Sequence, residues 1–333
     1  MSTPTPSTSF LGGFGLALPV HALMVLNGSV FGISGLIHRA VRGNKEALVA
    51  TTGLFLGGAI IGFIEGQGPD SSSLSLQGLL LSGFLVGLGT KLSNGCTSGH
   101  MLSGLSRFSR RSIAATATFF STAAITNRIL PPHTFIPVHA PDWNLDSTDR
   151  TLLVAQAIPL IVSMILYAHA STTTPSTNPN QSEDSEANRP PRNLSRLAAL
   201  LSTTVEFALA LRLSNLTDPK KVSAFLLLPF HSAFDPSLAF LALGAVPTGA
   251  ILYHFGRGSE IPALGGKWAI PKPGKVDARL LVGAALFGVG WGGSGFCPGP
   301  AVINFGRALA TGSEFTQWFF WLCAFVAGGL CVS

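Results

Sequence analysis

The chain has 333 residues, of which 47% are hydrophobic and only 11% are Asp, Glu, Lys or Arg. An average soluble domain carries about 25% charged residues, so the composition excludes an ordinary soluble protein and favours one that lies in a lipid bilayer. Basic residues outnumber acidic ones by 21 to 15, but they form no long run of like charge, and we expect no nucleic-acid partner. The 4 cysteines lack the spacing of metal ligands, so the sequence predicts no metal site. No nucleotide- or cofactor-binding motif occurs, so it also predicts no cofactor.

Apolar segments follow one another along the chain, and a spanning helix needs about 20 such residues. Several segments are too short to span, and lipid cannot satisfy their free backbone groups, so we interpret them as re-entrant or broken helices buried in protein. The sequence therefore predicts an all-α integral membrane protein with roughly eight to ten spanning helices. The predicted segments are Phe14–Ile37, Ala47–Ile64, Leu74–Leu92, Ile113–Leu130, Leu152–Ala170, Leu197–Leu213, Val222–Phe234, Leu238–Phe255, Leu280–Trp291, Ala301–Ala310 and Phe315–Val332.

A glycine-rich motif with one cysteine occurs twice, each time after a Leu-rich segment. Residues 87–100 read GLGTKLSNGCTSGH, and residues 288–300 read GVGWGGSGFCPGP, so Cys96 corresponds to Cys297. Interrupted apolar segments at matching places in two half-chains point to the binding site of a transporter. We therefore predict two membrane repeats, 14–130 with the Cys96 loop and 197–333 with the Cys297 loop.

The rest of the chain comprises an N-terminal tail and a segment that connects the two repeats. A polar N-terminal tail occupies 1–13, and the segment 131–196 contains a polar loop, one membrane helix at 152–170 and a linker. The linker, Ser171–Arg196, is rich in Ser, Thr, Pro and Asn, a composition that cannot bury enough apolar surface to fold and predicts flexibility.

Two basic loops, one in each half, carry information about orientation. Short basic loops face the cytoplasm, which places the N-terminus outside and favours parallel repeats, whereas an inverted pair would put equivalent loops on opposite sides. The sequence leaves both arrangements open. The basic residues are Arg39, Arg42 and Lys45 in the first loop, and Arg257, Lys267, Lys272 and Lys275 in the second.

The residues around both cysteines have the chemistry of an anion site. Glycines let backbone N–H groups converge on a ligand, and the N-terminus of a following helix favours negative charge. A thiol is polarizable and a weak donor, which suits a sulfur-bearing anion better than chloride or phosphate. We predict no catalytic residue, and the predicted translocation site comprises Asn94, Gly95, Cys96, Thr97, Ser98, Gly99, His100, Arg107, Ser294, Gly295 and Cys297.

Charged residues inside the apolar segments are the remaining candidates. Arg107 and Arg307 follow the two cysteines at similar distances, and a membrane arginine usually faces a pathway or a partner. Glu65 and Glu206 look like lone acids at helix edges, for which a proton-coupling role is one hypothesis.

The first motif, Asn94 to His100 continued by Gly104-Leu-Ser-Arg107, resembles the signature of the YeeE/YedE sulfur-transport family of membrane proteins, and the second resembles that family's other cysteine loop. The similarity covers Val20–Asn127 and Ala239–Val332. It implies a helical membrane protein with re-entrant segments that imports thiosulfate along a line of thiols, two of which correspond to Cys96 and Cys297. The expected partners are thiosulfate or a related anion, the lipid bilayer and a cytosolic sulfur-acceptor protein. The expected location is the plasma membrane, the default for a nutrient permease.

The chain departs from the family pattern at a third cysteine. The corresponding segment, Phe31 to His38, contains none, so either a hydroxyl such as that of Ser34 replaces the thiol, the relay is shorter, or the substrate differs. A membrane-embedded sulfurtransferase, in which Cys96 forms a persulfide with His100 as its base, is the alternative hypothesis.

Overall fold

The computed structural model of the protein describes residues 3–132, 134–135, 137–172, 190–272 and 274–332. Within these ranges the chain forms 13 α-helices and one π-helical segment, without a β-strand. The predicted all-α membrane architecture is thereby confirmed. The linker predicted at 171–196 lies mostly outside the described residues.

The helices, numbered in chain order, are α1 (Pro6–Asn27), α2 (Ile33–Val41), α3 (Lys45–Glu65), α4 (Leu76–Ser93), the π-helical segment π1 (Thr97–Gly104), α5 (Arg110–Ile129), α6 (Ser147–Ala155), α7 (Ala157–Thr172), α8 (Asn193–Leu213), α9 (Pro219–Leu226), α10 (Ser237–Gly256), α11 (Ala278–Gly292), α12 (Pro298–Thr311) and α13 (Thr316–Leu330).

Two predicted segments differ from the observed helices. The first, Phe14–Ile37, is divided into α1 and α2, because Gly28 adopts a left-handed conformation (φ +66°) that ends α1. In addition, α1 begins at Pro6, inside the polar tail predicted at 1–13, since proline is well suited to a first helical turn. The segment Val222–Phe234 contains only the short helix α9, because Leu228 has a positive φ of 61° and is followed by proline.

A spanning helix must be both long enough and apolar enough, and fewer helices meet these two requirements than the eight to ten that we predicted. Among the described residues, 6 helical stretches are long and apolar enough to cross a membrane: α1, α3, α4, α6 with α7, α8 and α10. The helices α11 and α13 are apolar but shorter. Helix α5 has 20 residues, but two arginines at its start and several Ser and Thr lower its hydropathy.

The two halves of the chain build the same series of elements. In the first half, α1, α2, α3, α4, π1 and α5 follow one another, and in the second half α8 to α13 repeat this order of long and short helices. The packing repeats as well. Helix α1 packs on α10, and their equivalents α8 and α3 pack on each other; likewise α4 packs on α13, and their equivalents α11 and α5 pack on each other. Helices α6 and α7 stand outside the repeat, and α7 packs on α8.

Equivalent helices of the two halves run in opposite directions where they cross. Gly12 of α1 packs against Ser214 of α8, and Gly15 packs against Ala210, so one helix ascends while the other descends. Helices α4 and α11 cross in the same antiparallel way. The repeats are therefore inverted, which decides between the two arrangements that the sequence left open.

The basic loops are not equivalent positions of the repeat. The loop between α2 and α3 corresponds to 227–236, and the loop between α10 and α11 corresponds to 66–75; neither counterpart contains Lys or Arg. Both basic loops lie at one end of the helix bundle, where they line a common cavity. Two basic loops on the same side of the membrane are therefore compatible with an inverted repeat.

Candidate functional site

Cys96 and Cys297 occupy the same place in their repeats, and Thr97 connects the two loops inside the protein. Each is the residue that precedes a short helix, π1 for Cys96 and α12 for Cys297, and each has an extended backbone. The Thr97 hydroxyl donates a hydrogen bond to Cys297 Sγ across 3.9 Å, although these residues are 200 positions apart. Both cysteines are buried, with 2% and 1% of their surface exposed.

A left-handed residue stands two positions before each cysteine and turns the chain into the short helix. Asn94 (φ 57°) has this role before Cys96, and Gly295 (φ 73°) before Cys297. At Gly295 a side chain is excluded twice, because its Cβ would also lie 2.6 Å from the carbonyl oxygen of Pro219. Helix α9 therefore covers the second loop closely.

Ser98 links the first thiol to helix α2. Its hydroxyl lies 3.3 Å from Cys96 Sγ and accepts a hydrogen bond of 3.1 Å from the backbone N–H of Ile33. Together with Thr97, these residues line a small cavity of about 20 Å³, which we call the thiol cavity and whose other walls are mostly apolar. The α2 residue that faces the thiols is thus Ile33, whereas Ser34 lines a different cavity.

The two short helices differ in the donors that they offer to an anion. The first backbone hydrogen bond of π1 runs from His100 N–H to Cys96 C=O, so the N–H groups of Thr97, Ser98 and Gly99 precede it and have no partner within the helix. In α12, Pro298 and Pro300 have no N–H. The Cys96 end is consequently the richer donor site.

A large cavity of about 520 Å³, which we call the vestibule, lies on the other side of the Cys96 motif. Asn94, Gly95, Gly99 and His100 line it, so the motif forms a wall between the vestibule and the thiol cavity. Glu46 is the acidic residue in its lining, whereas the basic side chains that line it are Arg39, Arg42, Lys91, Arg107, Arg111 and Lys272.

His100 holds the motif against its neighbours. Its Nδ1 lies 3.2 Å from the Ser112 hydroxyl on α5, and its Nε2 lies 3.3 Å from the backbone oxygen of Ser93 on α4. A Cβ on Gly95 would lie only 2.8 Å from Nε2. The imidazole therefore positions π1, and its ring nitrogens are engaged with groups other than the Cys96 thiol.

Arg107 lines the vestibule and ties down a loop. Its Nε donates to the carbonyl oxygen of Ser103 at 2.9 Å, and its Nη1 donates to that of Pro271 at 3.3 Å. It thus connects the end of π1 to the basic loop between α10 and α11.

Ser294 stabilises the turn before Cys297 through hydrogen bonds within that turn. Its hydroxyl donates to Gly290 C=O at 2.8 Å and accepts from Phe296 N–H at 3.2 Å. The described contacts of Ser294 and Gly295 are thus with the turn and with α9, and neither residue lines the vestibule or the thiol cavity.

Arg307, the counterpart of Arg107, has an acidic partner. It pairs with Glu65 at the end of α3, and Glu65 also accepts from Arg212 of α8 at 2.5 Å. Asn304 accepts a further bond from Arg307 at 3.2 Å. The interpretation of Glu65 as a lone acid is therefore wrong, because the packing of α3 on α8 and α12 brings two arginines to it.

Sequence reasoning missed several walls of these cavities. Lys91 and Lys272 of the vestibule come from distant parts of the chain, and their positive charge was the only signal that they gave. The apolar wall of the thiol cavity includes Phe207 and Leu211 of α8, which in the sequence look like any other residues of a membrane helix.

Comparison with known proteins extends this description. Residues 195–332 match a family of unknown function, DUF6691. A protein of Xylella fastidiosa (strain 9a5c) named "Probable transporter" is 40% identical over 119 residues, which make up 35% of this chain and 88% of the relative. A second Xylella fastidiosa protein of the same name (strain Temecula1 / ATCC 700964) is 30% identical over 116 residues, or 35% of this chain and 78% of the relative.

Both relatives are therefore covered over more than two thirds of their length, and each is less than half as long as this chain. The apolar helices of this chain are what a membrane transporter requires, and both relatives are named probable transporters. The chain belongs to the same family as these probable transporters.

Proposed function

We propose that the protein is a membrane transporter that imports thiosulfate or a similar small sulfur anion by passing it between Cys96 and Cys297. The observation that carries the proposal is the hydrogen bond from Thr97, the residue next to Cys96, to Cys297 Sγ of the other repeat, with both cysteines buried. The relatives named probable transporters support the transport part. The resemblance of the Cys96 motif to the YeeE/YedE family supports the choice of a sulfur anion.

The two ends of thiosulfate match different parts of the site. Its oxygen atoms carry most of the negative charge and suit the free N–H groups at the start of π1, whereas its terminal sulfur suits the polarizable thiols. The donor-poor Cys297 end, with Pro298 and Pro300, then receives the sulfur rather than the charge. This division gives each cysteine loop its own part in transport.

The vestibule supplies the electrostatic attraction. By the positive-inside rule its basic loops face the cytoplasm, so an imported anion reaches the vestibule after the thiols. An inside-negative membrane potential opposes anion entry by about 2.3 kcal/mol per charge and 100 mV. The cluster of basic side chains at the inner end lowers the energy of the anion where the potential is least favourable.

The alternative of a Cys96 persulfide enzyme has less support. Nucleophilic catalysis needs an activated thiolate with a nearby base, but His100 bonds Ser112 and Ser93. In the described part of the chain, the hydrogen-bond contact of Cys96 Sγ is with Ser98. We therefore propose a permease of the plasma membrane, with a cytosolic sulfur acceptor as a partner that consumes the imported sulfur.

Uptake of sulfur-labelled thiosulfate tests the proposal directly. The host cells lack their own thiosulfate and sulfate permeases and express wild type, Cys96→Ser or Cys297→Ser at equal membrane abundance. We expect each variant to reduce the initial rate at least about tenfold, which corresponds to ~1.4 kcal/mol at the barrier. Cys323→Ser is the matched control, because Cys323 is exposed in α13 and lies outside both cavities.

Three results would contradict parts of the proposal. Absence of uptake by well-inserted wild type rejects thiosulfate as the substrate. Normal uptake by both serine variants removes the thiols from the path. A persulfide on Cys96, detected by mass spectrometry after exposure to thiosulfate, supports the enzyme instead.

A further inference from the structure

Glu206 is a buried acid in the middle of α8, directly before a residue of the thiol cavity. The residue is 1% exposed, and its Oε2 has no hydrogen-bond partner among the residues that the structure describes. Its neighbour Phe207 lines the thiol cavity and stacks on Phe31, with ring centroids 4.3 Å apart. Glu206 therefore lies in the interior, not at a helix edge as the sequence suggested.

The charged groups on the helices packed against α8 lie away from its centre. These helices are α1, α3, α6, α7 and α12. At one end of α8, Glu46 of α3 pairs with Arg196, and at the other end Glu65 pairs with Arg212 and Arg307. Helix α1 contains no Asp, Glu, Lys or Arg.

The other titratable groups on those helices contact residues other than Glu206 or are exposed. His21 of α1 packs against Gly256 of α10, and Asp149 of α6 accepts a hydrogen bond from Thr8. The remaining ones are exposed: Lys45, Arg150, Tyr167 and His169. In the described part of the chain, no cation therefore forms an ion pair with Glu206.

An unpaired carboxylate is costly in an apolar interior, so such a group is stable there in its neutral, protonated form. Ionisable residues inside a membrane protein commonly mark proton relays or substrate pathways. Import of an anion against an inside-negative potential needs a compensating positive charge. A proton bound at Glu206, next to Phe207 of the thiol cavity, offsets one of the two negative charges of thiosulfate.

We propose that Glu206 is the proton-binding site that couples anion import to the proton gradient, an inference that rests on the proposed function. The Glu206 carboxylate takes up a proton from the outer side, which gives the neutral carboxyl, and the anion then enters the thiol cavity. The proton is released to the cytoplasm with the anion, which regenerates the carboxylate. Each cycle thus moves one anion and one proton inward.

Purified full-length protein in liposomes allows coupling to be separated from transport. The first assay measures exchange of labelled against unlabelled thiosulfate at equal pH on both sides. The second measures net accumulation with the outside one pH unit more acidic. One coupled proton and one thiosulfate dianion carry a net charge of −1, so the membrane potential is clamped at the same value in both conditions. One coupled proton then raises the accumulation ratio about tenfold for one pH unit, because one unit corresponds to a factor of ten in proton activity.

Glu206→Gln is the decisive variant, since it keeps the shape of the side chain and removes its proton exchange. We expect it to exchange thiosulfate at a rate similar to wild type while the tenfold effect of the pH gradient disappears. Glu206→Asp restores a titratable group and retains the gradient effect. Asp70→Asn is the matched control, because Asp70 forms an exposed surface pair with Lys220, and it should keep both activities.

The outcomes separate this inference from the proposed function. Wild type that exchanges thiosulfate without responding to the gradient overturns the role of Glu206 and leaves the permease intact. The same conclusion follows if Glu206→Gln keeps the tenfold effect, or if it loses exchange as well although it is folded and inserted. Wild type that does not exchange thiosulfate rejects the proposed function itself.

Discussion

The Glu65 carboxylate connects the two halves of the chain through two arginines of the second half. Its side chain and that of Arg307 are only 7% and 6% exposed, so their pairing is shielded from solvent. Arg212 completes the group from α8. Removing one member of a buried ion pair is strongly destabilising, because the other charge remains buried without compensation.

We therefore expect Glu65→Gln to lower the free energy of unfolding by about 3–5 kcal/mol. Thermal unfolding of the purified protein in detergent, followed by tryptophan fluorescence, measures the effect. Asp70→Asn provides the comparison, because the exposed Asp70–Lys220 pair contributes only about 0–1 kcal/mol. Equal free energies of unfolding for the two variants would show that the buried ion pairs of Glu65 stabilise the protein no more than the exposed pair does.

The control pair also has a defined pH dependence. The hydrogen bond from Lys220 lowers the pKa of Asp70 below its ordinary value. Its small contribution to stability is therefore present above the ordinary Asp pKa and is lost as the pH falls through the lowered value. Wild type and Asp70→Asn should then become equally stable in acid.

At the residue scale, the motif predicted Thr97 and Ser98 together with the cysteines, and the structure places their hydroxyls against the two thiols. Cys96 and Cys297 could be paired because they share a position in a visible repeat. The partners of His100 and Ser294 could not be predicted, because they depend on which helices pack together. The same limit explains why Glu65 looked unpaired.

At the scale of elements, close helix contacts at glycines hold the site in place. Helix α4, which leads to Cys96, lies between α11 and α13. At Gly87 the α4 backbone touches α13 so closely that a Cβ would overlap the carbonyl group of Phe325. Small residues at such contacts let membrane helices approach each other directly.

Gly87→Ala should therefore destabilise the protein by about 1–3 kcal/mol through overpacking. Gly78→Ala in the same helix is the matched control, because its Cβ would meet Leu74 and Ser75 at an ordinary 3.6 Å. Since alanine favours a helix over glycine by up to about 1 kcal/mol, this control should be neutral or stabilising. Unfolding temperatures of both variants in detergent test the opposite signs, and a stable Gly87→Ala protein would contradict the close contact.

The existence of most long helices could be predicted from hydropathy, whereas their breaks could not. The break at Gly28 falls inside an apolar stretch, and its left-handed backbone is a property of the tertiary fold. The helices α11 and α12 were recognised as short because glycine and proline flank Cys297. A cluster of glycine and proline residues thus predicts a helix break, whereas a single glycine such as Gly28 does not.

At the scale of the whole molecule, the inverted repeat and the basic loops define an orientation in the membrane. The vestibule with Lys272 belongs to the basic end, which we expect to face the cytoplasm. Phe230, which is 85% exposed, lies in the loop after α9 at the opposite end. The two positions are therefore suitable reporters of the two sides.

A membrane-impermeant maleimide tests this orientation in a background with Cys323→Ser and Cys331→Ser. We expect Phe230→Cys to be labelled in intact cells and Lys272→Cys only after the membrane is permeabilised. Labelling in the reverse order would show that the vestibule opens to the outside. The attraction of anions to the vestibule would then precede their passage between the thiols.

The loops that correspond to each other in the inverted repeat differ in charge, and this difference has a consequence for biosynthesis. Each half is built from similar helices, yet the membrane insertion machinery must thread the second half in the opposite sense to the first. In the two pairs of equivalent loops described above, Lys and Arg occur in only one loop of each pair and supply that instruction. Arg39, Arg42 and Lys272 of these loops also line the vestibule, so the same residues set the orientation of the chain and the charge of its inner cavity. A helix end with its cysteine can change without altering how the chain is inserted.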